Sequence, residues 1–364
     1  MTEQNKSGRI PGAGTGRRRK PPAARRRTGV LLAGAAAVLV LAGAGLGSVY
    51  LRLDGNLQGV DINAQLGGDR PDDLANGSLD ILVLGSDSRA GDNAAYGTDE
   101  GGARSDTAMV VHVHDGHTEA SVVSIPRDTL VTRPACADST GTTVPGARRA
   151  MFNTAYEVGG PACAVKTVEA MSGIRMDHYI EVDFTGFKKL IDELGGVEIT
   201  TTRAIRDTKS HLDLAPGTHT LDGERSLALV RTRKSVGDGS DLGRIQLQQA
   251  FMKAFLAQVR SVGVFTSPTK LLGLADAATK AITPDSELDS VKELTGFARG
   301  LSGIGADQVH MITLPVVYDP RDPNRVIPLE ARSQQVWAAL RADRPVPASA
   351  TRDAATGKAD GVVR

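Results

Sequence analysis

Three short polar clusters, each next to an apolar run, are the residues of this chain best suited to chemistry. They are Asp87-Ser88-Arg89, Arg104-Ser105-Asp106 and Arg127-Asp128. Mg²⁺ takes oxygen ligands, usually one or two carboxylates with water and phosphate, whereas arginine binds phosphate oxygens through paired N–H groups. Carboxylates and guanidiniums gathered together therefore suit a divalent cation with a phosphate-rich substrate. The alternative is a set of surface ion pairs beside strands, which are common and contribute little to stability.

The apolar runs beside these clusters predict three strands. They are Leu79–Leu84, Thr107–Val113 and Ala120–Ile125. Asp115-Gly116 between the second and third run is a hairpin signal, and the simplest arrangement of the three is an antiparallel meander. In that meander the end of the first strand, the start of the second and the end of the third share one edge. We expect the charged residues of the three clusters to converge there.

The rest of the chain alternates helix and strand signals, which predicts an α/β fold. The predicted strands are Tyr179–Phe184, Val197–Thr200 and Gln308–Val317. The predicted helices are Pro161–Gly173, Thr185–Leu194, Gly223–Val230, Asp241–Ser261, Ser267–Ile282, Ser286–Ser302 and Glu330–Arg341. We expect residues 78–262 to form the domain that carries the polar clusters, residues 263–342 a helical extension packed on it, and residues 343–364 a disordered tail.

A second polar group follows in the predicted helices. Arg231 and Arg233 could reach one ligand if the backbone between them is extended, because residues two apart then share a side. At about 100° per residue, Asp241, Arg244 and Gln248 lie on the same side of the longest helix as its apolar stripe. With Asp241 as the predicted cap, this start of the helix either packs against acidic partners or lines a cavity, since a buried unpaired arginine is costly. A helix start also favours anions, and a purely structural Asp241–Arg244 pair is the alternative.

The amino terminus predicts a membrane anchor. Residues 1–27 hold nine Lys or Arg and one acidic residue, and we expect a disordered basic tail. Residues 28–50 predict a transmembrane helix, because Gly29–Tyr50 has no charged side chain and would span about 33 Å as a helix. The positive-inside rule places the tail in the cytoplasm and, after a stalk at residues 51–77, the remaining chain outside. A cleavable signal peptide, even of the twin-arginine type, is the alternative.

The charge of the exported part argues against nucleic acid as a partner. The full chain carries +1 and the basic tail +8, so the remainder carries about −7. An acidic domain is a poor general binder of polyanions. Its arginines therefore matter only where they are gathered locally.

Two cysteines, Cys136 and Cys163, lie beyond the predicted span. Exported chains meet oxidising conditions, so we expect a disulfide between them, with two free thiols as the alternative. Neither lies in a recognisable nucleophile motif.

Other reactive side chains fit weaker hypotheses. His112 and His114 alternate on one strand face, but no third ligand lies nearby in the sequence, so packed or surface imidazoles are favoured over a zinc site. The serines of the strand runs have no histidine placed as a base, which argues against a serine hydrolase. A glycine-rich phosphate loop of the Walker type is missing from the sequence.

The chain closely resembles the LytR-CpsA-Psr family of membrane-anchored bacterial cell-wall enzymes across residues 78–260. The motifs that carry the resemblance, in order, are Leu84-Gly85-Ser86-Asp87-Ser88-Arg89, Arg104-Ser105-Asp106-Thr107, Ser124-Ile125-Pro126-Arg127-Asp128, Asn153-Thr154-Ala155-Tyr156, Asp177-His178-Tyr179, Asp183-Phe184, Leu194-Gly195-Gly196-Val197, Arg231-Thr232-Arg233 and Asp241-Leu242-Gly243-Arg244. Each is weak alone, and their order together is specific. High Ala, Gly and Arg content fits an actinobacterial source.

The resemblance implies a transferase that moves a glycopolymer from a polyprenyl pyrophosphate carrier to peptidoglycan through a phosphodiester, with Mg²⁺ or Mn²⁺. It implies an α-β-α layered sandwich with a mixed central sheet, preceded by one transmembrane helix. By position, the metal carboxylates are Asp87 and Asp106. The implied pyrophosphate-binding set is Arg89, Arg104, Arg127, Arg231, Arg233, Asp241, Arg244 and Gln248. Asp87 and Asp128 are candidates to accept the proton of the attacking hydroxyl, and a metal-held water network is a third candidate.

Two departures from the family pattern concern neither metal candidate. Leu247 stands where the family commonly has an arginine, so a phosphate contact is missing or shifted to Lys234 or Arg206. Ala150-Met151-Phe152 replaces a more usual lysine and isoleucine. Two other functions stay open: a non-enzymatic envelope sensor, and a lipid pyrophosphate hydrolase that uses water as acceptor.

Overall fold

The computed structural model describes residues 45, 47–86, 105–138, 140–233, 236–261, 268–352, 354–356 and 361–363. The strands are β1 (Leu79–Ser86), β2 (Ser105–Val113), β3 (Ala120–Ile125), β4 (Leu130–Arg133), β5 (Cys136–Ala137), β6 (Thr143–Val144), β7 (Ala147–Met151), β8 (His178–Asp183), β9 (Val197–Thr201), β10 (Ile205–Asp207), β11 (Leu212–Leu214), β12 (Gly217–Leu221), β13 (Ile282–Pro284), β14 (Val309–Thr313), β15 (Val316–Asp319) and β16 (Asp322–Pro328). The helices are α1 (Ile62–Leu66), α2 (Asn153–Ser172), α3 (Phe184–Glu193), α4 (Gly223–Arg231), α5 (Asp241–Ser261), α6 (Pro268–Ala281), α7 (Val291–Gly300) and α8 (Glu330–Arg341).

A six-stranded mixed sheet in the order β13-β8-β1-β2-β3-β14 forms the centre of the fold. The predicted antiparallel meander of β1, β2 and β3 is confirmed, with Gly85 opposite Thr107 and Ala108 opposite Ile125. β8 runs parallel to β1, β14 runs parallel to β3, and β13 is antiparallel to β8. Two of the six strands therefore come from residues 263–342, and the domain boundary expected at residue 262 stays a prediction.

Helices cover both faces of the sheet, because its central strands are apolar on both sides. Leu82 and Val110 face a core that α2 and α8 complete, with Trp337 of α8 fully buried in it. On the opposite face, Ile81 packs with Phe297 of α7. The α/β class with a mixed central sheet is thus confirmed.

Capping residues set the limits of several helices. Asp183 and Asp222 precede α3 and α4, and their carboxylates each accept a hydrogen bond of 2.8 Å from a backbone N–H in the first turn. α2 ends at Gly173, which adopts the left-handed conformation (φ 66°) that glycine tolerates best. The predicted limits of α5 and α8 agree with the structure, and those of α3 and α4 differ by one residue.

Several predicted elements need correction. α2 begins at Asn153 rather than Pro161, and the expected start coincides with a kink where Gly159 and Gly160 leave helical geometry. The helix expected up to Ile282 ends at Ala281 and continues as β13. The single strand expected over Gln308–Val317 divides into β14 and β15, and β16 was not predicted.

The predicted disulfide between Cys136 and Cys163 is present and joins β5 to α2, with the two Cα atoms 5.5 Å apart. α2 approaches β5 closely there, since a Cβ on Gly159 would lie 2.4 Å from the carbonyl oxygen of Ala137. Only glycine fits at that position without a shift of the backbone.

The predicted membrane span falls almost wholly outside the described residues. Among those that are described, no helix combines the length and the apolar character that crossing a bilayer needs. Residues 52–364 form one compact unit, and residues 1–51 are assigned to another.

Candidate active site

Asp106 and Arg127 meet at one edge of the sheet, as the meander predicts. Asp106 lies at the start of β2 and Arg127 lies just after β3, and the strand register brings these two ends together. A guanidinium N–H of Arg127 donates to a carboxylate oxygen of Asp106. Three members of the predicted convergence lie outside the described residues: Asp87, Arg89 and Arg104.

Backbone hydrogen bonds hold the segment after β3 in place. The N–H of Asn153 donates to the carbonyl of Arg127 at 3.1 Å, and the N–H of Phe152 donates to the carbonyl of Thr129 at 2.9 Å. Phe152 is buried in the main core, so it anchors this contact. The second departure from the family pattern, at Ala150-Met151-Phe152, thus lies in a bracing segment behind Arg127.

Asp241, the first residue of α5, is the centre of the charged cluster. Its Oδ1 lies 2.6 Å from a terminal guanidinium nitrogen of Arg244, 3.4 Å from one of Arg233 and 3.7 Å from Nε of Arg127. Its Oδ2 accepts from the backbone N–H of Arg127 at 3.2 Å. One carboxylate therefore holds three arginines from three separate segments of the chain.

Arg244 and Gln248 confirm that the inward face of α5 begins polar. Both are buried, and Arg244 donates to the carbonyl of Asp106 at 2.6 Å. The amide of Gln248 donates to the Thr107 hydroxyl and to the Val230 carbonyl, each at 3.0 Å. These bonds fasten α5 to the start of β2 and the end of α4.

Within the part of the chain that the structure describes, three buried polar atoms of the cluster have no aligned hydrogen-bond partner: Nε of Arg127, Nε of Arg244 and Oδ1 of Asp241. Arg244 and Asp241 are close enough for an ion pair, yet the groups are not oriented for a hydrogen bond. Buried groups of this kind are rare without a reason, and sites that await a ligand are one such reason. A charged ligand with several oxygens could satisfy both guanidinium nitrogens.

The Arg231-Thr232-Arg233 segment is extended at Thr232 (φ −63°, ψ 133°), as required for both arginines to share a side. Arg233 joins the cluster through Asp241, and its backbone N–H donates to Asp207 at 3.0 Å. The guanidinium of Arg231 lies 5.2 Å above the ring of Phe184, in a cation–π geometry. Phe184 therefore orients Arg231, a role that the sequence did not indicate.

The cluster shifts the protonation of its members in opposite directions. Burial opposes ionisation of Asp106, but the charges of Arg244 and Arg127 outweigh it and lower the pKa of its carboxyl. Burial and the charge of Asp241 raise the pKa of Asp128. Burial and repulsion from Arg244 and Arg127 lower the pKa of Arg233 to about 10. The site therefore holds one firmly ionised carboxylate and one carboxyl that takes a proton more readily.

A cavity of about 700 Å³ opens beside the cluster. Its walls include Arg127, Asp128, Arg233 and Asp241. The opposite wall comes from the β15–β16 hairpin and the loop before α5, through Tyr318, Asn324, Arg325, Asp238 and Ser240. Asp128, whose role the sequence left open, thus faces the cavity.

Arg325 and Tyr318 are site residues that sequence reasoning missed. A terminal guanidinium nitrogen of Arg325 lies 3.9 Å from Oδ1 of Asp128, and the Tyr318 hydroxyl donates to Asp238 at 2.5 Å. Tyr318 lies in β15, one residue beyond the end of the predicted strand, and Arg325 lies in β16, which was not predicted. No expected element therefore placed them near the sheet edge. An arginine between two prolines, at positions 323 and 328, was the only signal available.

The donor chemistry of the site suits Mg²⁺. Asp106 offers a hard oxygen ligand whose lowered pKa keeps it ionised, as a metal ligand must be. Mg²⁺ needs only one or two carboxylates because water and phosphate complete its shell. Asp87, the second predicted metal carboxylate, lies outside the described residues.

Leu247 does not face the charged cluster. It is buried in a second core with Ile191, Val197 and Phe251. Gln249, which follows Gln248, donates from its side-chain amide to the hydroxyls of Ser124 and Thr313. Arg206, proposed as a substitute for an arginine at 247, pairs with Asp213 on an exposed hairpin. The other proposed substitute, Lys234, lies outside the described residues.

A model of the LytR_cpsA_psr family matches residues 49–342. The chain belongs to the LytR_cpsA_psr family. Among curated relatives of this family member, cell wall biosynthesis protein LcpA of Corynebacterium glutamicum is 34% identical over 309 residues, which cover 77% of this chain and 58% of LcpA. The chain thus spans little more than half of that relative.

A second relative of this LytR_cpsA_psr member is named polyisoprenyl-teichoic acid–peptidoglycan teichoic acid transferase TagT, from Bacillus subtilis. It is 32% identical over 242 residues, which cover 63% of this chain and 70% of TagT. Among solved structures, "TagT bound to LI-WTA" matches with a TM-score of 0.55 and 27% identity, and covers 76% of this chain and 96% of its own. A structure of YwtF (TagT) "with bound octaprenyl pyrophosphate lipid" matches with a TM-score of 0.52, 25% identity and the same coverage.

Proposed function

We propose that this chain transfers a glycopolymer from a polyprenyl pyrophosphate carrier to a peptidoglycan hydroxyl, forming a phosphodiester and releasing polyprenyl phosphate. The observation that carries the proposal is the convergence of Arg127, Arg233 and Arg244 on Asp241 beside a cavity. The similarity to TagT supports it, since TagT is named a teichoic acid transferase and one of its structures holds octaprenyl pyrophosphate. By analogy with the teichoic acid transferase, we propose that the glycan is an anionic or secondary cell-wall polymer.

The arginines bind the diphosphate in this mechanism. Arg127 and Arg244 each carry a buried Nε that no described residue meets as an aligned acceptor, and phosphate oxygens accept such bonds well. Asp241 holds the guanidiniums apart and oriented before the ligand arrives, so binding requires little rearrangement. Such preorganised charge is the main means of stabilising a transition state in phosphoryl transfer.

Asp128 is the group that takes the proton from the acceptor hydroxyl. It faces the cavity between Arg127 and Arg325, and burial with the nearby charge of Asp241 raises its pKa. The hydroxyl oxygen attacks the phosphorus nearest the glycan, the new P–O bond forms, and the bond to the polyprenyl phosphate breaks. A base with a raised pKa accepts the hydroxyl proton more readily than an ordinary aspartate.

We assign the divalent cation to Asp106 together with Asp87. Asp106 and Asp87 would hold Mg²⁺ or Mn²⁺, which would supply positive charge to offset that of the diphosphate. Asp106 keeps its ionised form for this purpose because Arg244 and Arg127 lower its pKa.

We place the protein in the cell membrane as a single-pass protein with its catalytic part outside. The disulfide between Cys136 and Cys163 supports an oxidising compartment for residues 52–364. The apolar residues 28–50, with the basic residues before them, provide the anchor and its direction.

The test is transfer of a labelled lipid-linked glycan to peptidoglycan by the full chain. Arg244→Ala should abolish transfer. Arg260→Ala should retain it, because Arg260 lies at the far end of the same helix, where its guanidinium donates to the Gly303 carbonyl. EDTA should stop transfer and Mg²⁺ restore it.

Release of glycan phosphate without attachment to peptidoglycan would indicate the hydrolase instead. Retained transfer in Arg244→Ala would contradict the site, and binding of the lipid without any turnover would favour a sensor.

A further inference from the structure

A second cluster of ligand-type side chains lies at the opposite end of β2 from the proposed active site. It consists of His112, His114 and Asp343. β2 places His112 six residues from Asp106, about 20 Å along the strand. The proposed transfer mechanism does not use these side chains.

Three atoms of this His-His-Asp cluster converge on one point. Oδ1 of Asp343 lies 3.1 Å from Nε2 of His112 and 2.7 Å from Nδ1 of His114. One ligand atom from each residue lies within 4.8 Å of the others. Tetrahedral Zn²⁺, with bonds of about 2.0–2.1 Å, keeps its ligand atoms roughly 3.3 Å apart. To reach that spacing, Oδ1 of Asp343 moves slightly away from both imidazoles, and the two histidine nitrogens move closer together from a separation of up to 4.8 Å.

Each of the three residues is oriented by a neighbour on its other polar atom. Nδ1 of His112 bonds Oδ1 of Asp80 at 2.8 Å, and Nε2 of His114 bonds the Ser121 hydroxyl at 3.0 Å. Oδ2 of Asp343 accepts from the backbone N–H of Asp115 at 3.2 Å. A carboxylate behind a histidine is the usual outer partner of a zinc ligand, because it fixes the ring and raises its basicity.

Strand register builds this arrangement. Asp80, His112 and Ser121 lie directly opposite one another on β1, β2 and β3, and all three are buried. Asp343 lies two residues after the end of α8. Its positive φ of 46° is an uncommon conformation for a residue other than glycine. Strained positions of this kind concentrate at ligand sites.

We propose that His112, His114 and Asp343 bind one Zn²⁺, with water as the fourth ligand. Two imidazole nitrogens and one carboxylate suit Zn²⁺, whereas Mg²⁺ prefers oxygen alone. Solvent reaches the site, since the side chains of Asp343 and His114 are 20% and 12% exposed. Elsewhere in the described residues, no other group of three His, Cys, Asp or Glu side chains offers atoms this close.

Bound Zn²⁺ would fasten α8 to the sheet. Asp343 follows α8 by two residues, and Trp337 and Leu340 of that helix fill the main core. A ligand that binds only the folded chain stabilises it in proportion to its concentration. Zn²⁺ at about a hundred times its Kd should therefore raise the melting temperature by roughly 5 °C.

The test measures Zn²⁺ on the full-length chain after EDTA treatment and dialysis, with excess Mg²⁺ present to fill oxygen-only sites. The wild-type chain should bind one Zn²⁺, and Asp343→Asn and His114→Gln should each lose it. His117→Gln, which changes a neighbouring histidine outside the converging atoms, should retain it. Zn²⁺ should raise the melting temperature of the proteins that retain the ion and should leave that of Asp343→Asn and His114→Gln unchanged.

Two results would overturn the proposal. One is a wild-type chain that takes up no Zn²⁺ beyond the amount found in Asp343→Asn. The other is bound Co²⁺, used in place of Zn²⁺, whose visible spectrum shows octahedral oxygen coordination rather than a tetrahedral site with nitrogen. The Co²⁺ spectrum is read on the wild-type chain, so it decides the question even if both ligand variants unfold.

Discussion

Replacing Asp241 by asparagine tests the central claim that one carboxylate holds the arginines of the site. The amide keeps the shape of the side chain and removes the charge that Arg244 and Arg233 face at 2.6 and 3.4 Å. The side chains of Arg244 and Asp241 are only 4% and 8% exposed, so the remaining guanidinium would be buried without its partner.

The expected loss of stability follows from that burial. Removing one partner of a buried ion pair costs about 3–5 kcal/mol. Arg244 keeps its bond to the Asp106 carbonyl, so we expect the lower value, about 3 kcal/mol for Asp241→Asn. At about 2 °C per kcal/mol for a chain of this size, the melting temperature should fall by roughly 6 °C.

Asp213→Asn is the matched control, because Asp213 forms an ion pair with Arg206 in which both side chains are more than 70% exposed. Exposed pairs contribute below about 1 kcal/mol, so its melting temperature should barely change. Inorganic pyrophosphate supplies a new anion to the same guanidiniums and should recover more stability in Asp241→Asn than in the wild type. Equal melting temperatures for the two variants, or no preferential recovery, would refute the assignment of Asp241 as the organising charge.

Three further predictions concern single groups. Asp128→Asn should slow transfer by about 10²–10⁴-fold and retain donor binding. In the wild type the rate should fall as the pH drops through the raised pKa of Asp128, and the variant should lack this fall. If the pH profile of kcat is the same in both proteins, Asp128 is not the base. Arg127→Lys loses paired N–H donation and should lower kcat/KM by at least tenfold in a glycan-transfer assay, whereas Arg260→Lys should not; equal values would contradict phosphate binding by Arg127. Replacing Cys136 and Cys163 by serine should cost about 3–4 kcal/mol in denaturant unfolding, since the bridge closes a 27-residue separation, and an unchanged midpoint would show that the loop is ordered without it.

The antiparallel meander at the centre of the sheet could be predicted from the sequence because its signals are local. β1, β2 and β3 are short apolar runs with a hairpin signal between the last two, and the polar residues at their ends then follow by geometry. The inward polar start of α5 was predictable for the same reason, since helical periodicity places Arg244 and Gln248 with the apolar stripe.

The far wall of the cavity could not be predicted, because its signals are weak or distant. β16 contains two prolines, which argue against a strand in sequence reasoning, and Arg325 lies between them. The third ligand of the histidine cluster was equally hidden. Asp343 follows His112 by more than 200 residues, and only the packing of α8 brings it to the sheet.

The parallel pairing of β14 with β3 has a consequence for synthesis of the chain. β3 remains an open edge until residues 309–313 have been made, and Arg325 reaches Asp128 only later still. A nascent or prematurely terminated chain would therefore display an unpaired apolar strand, which favours aggregation and proteolysis. Such an incomplete chain would also lack the wall of the cavity that Arg325 and Tyr318 provide.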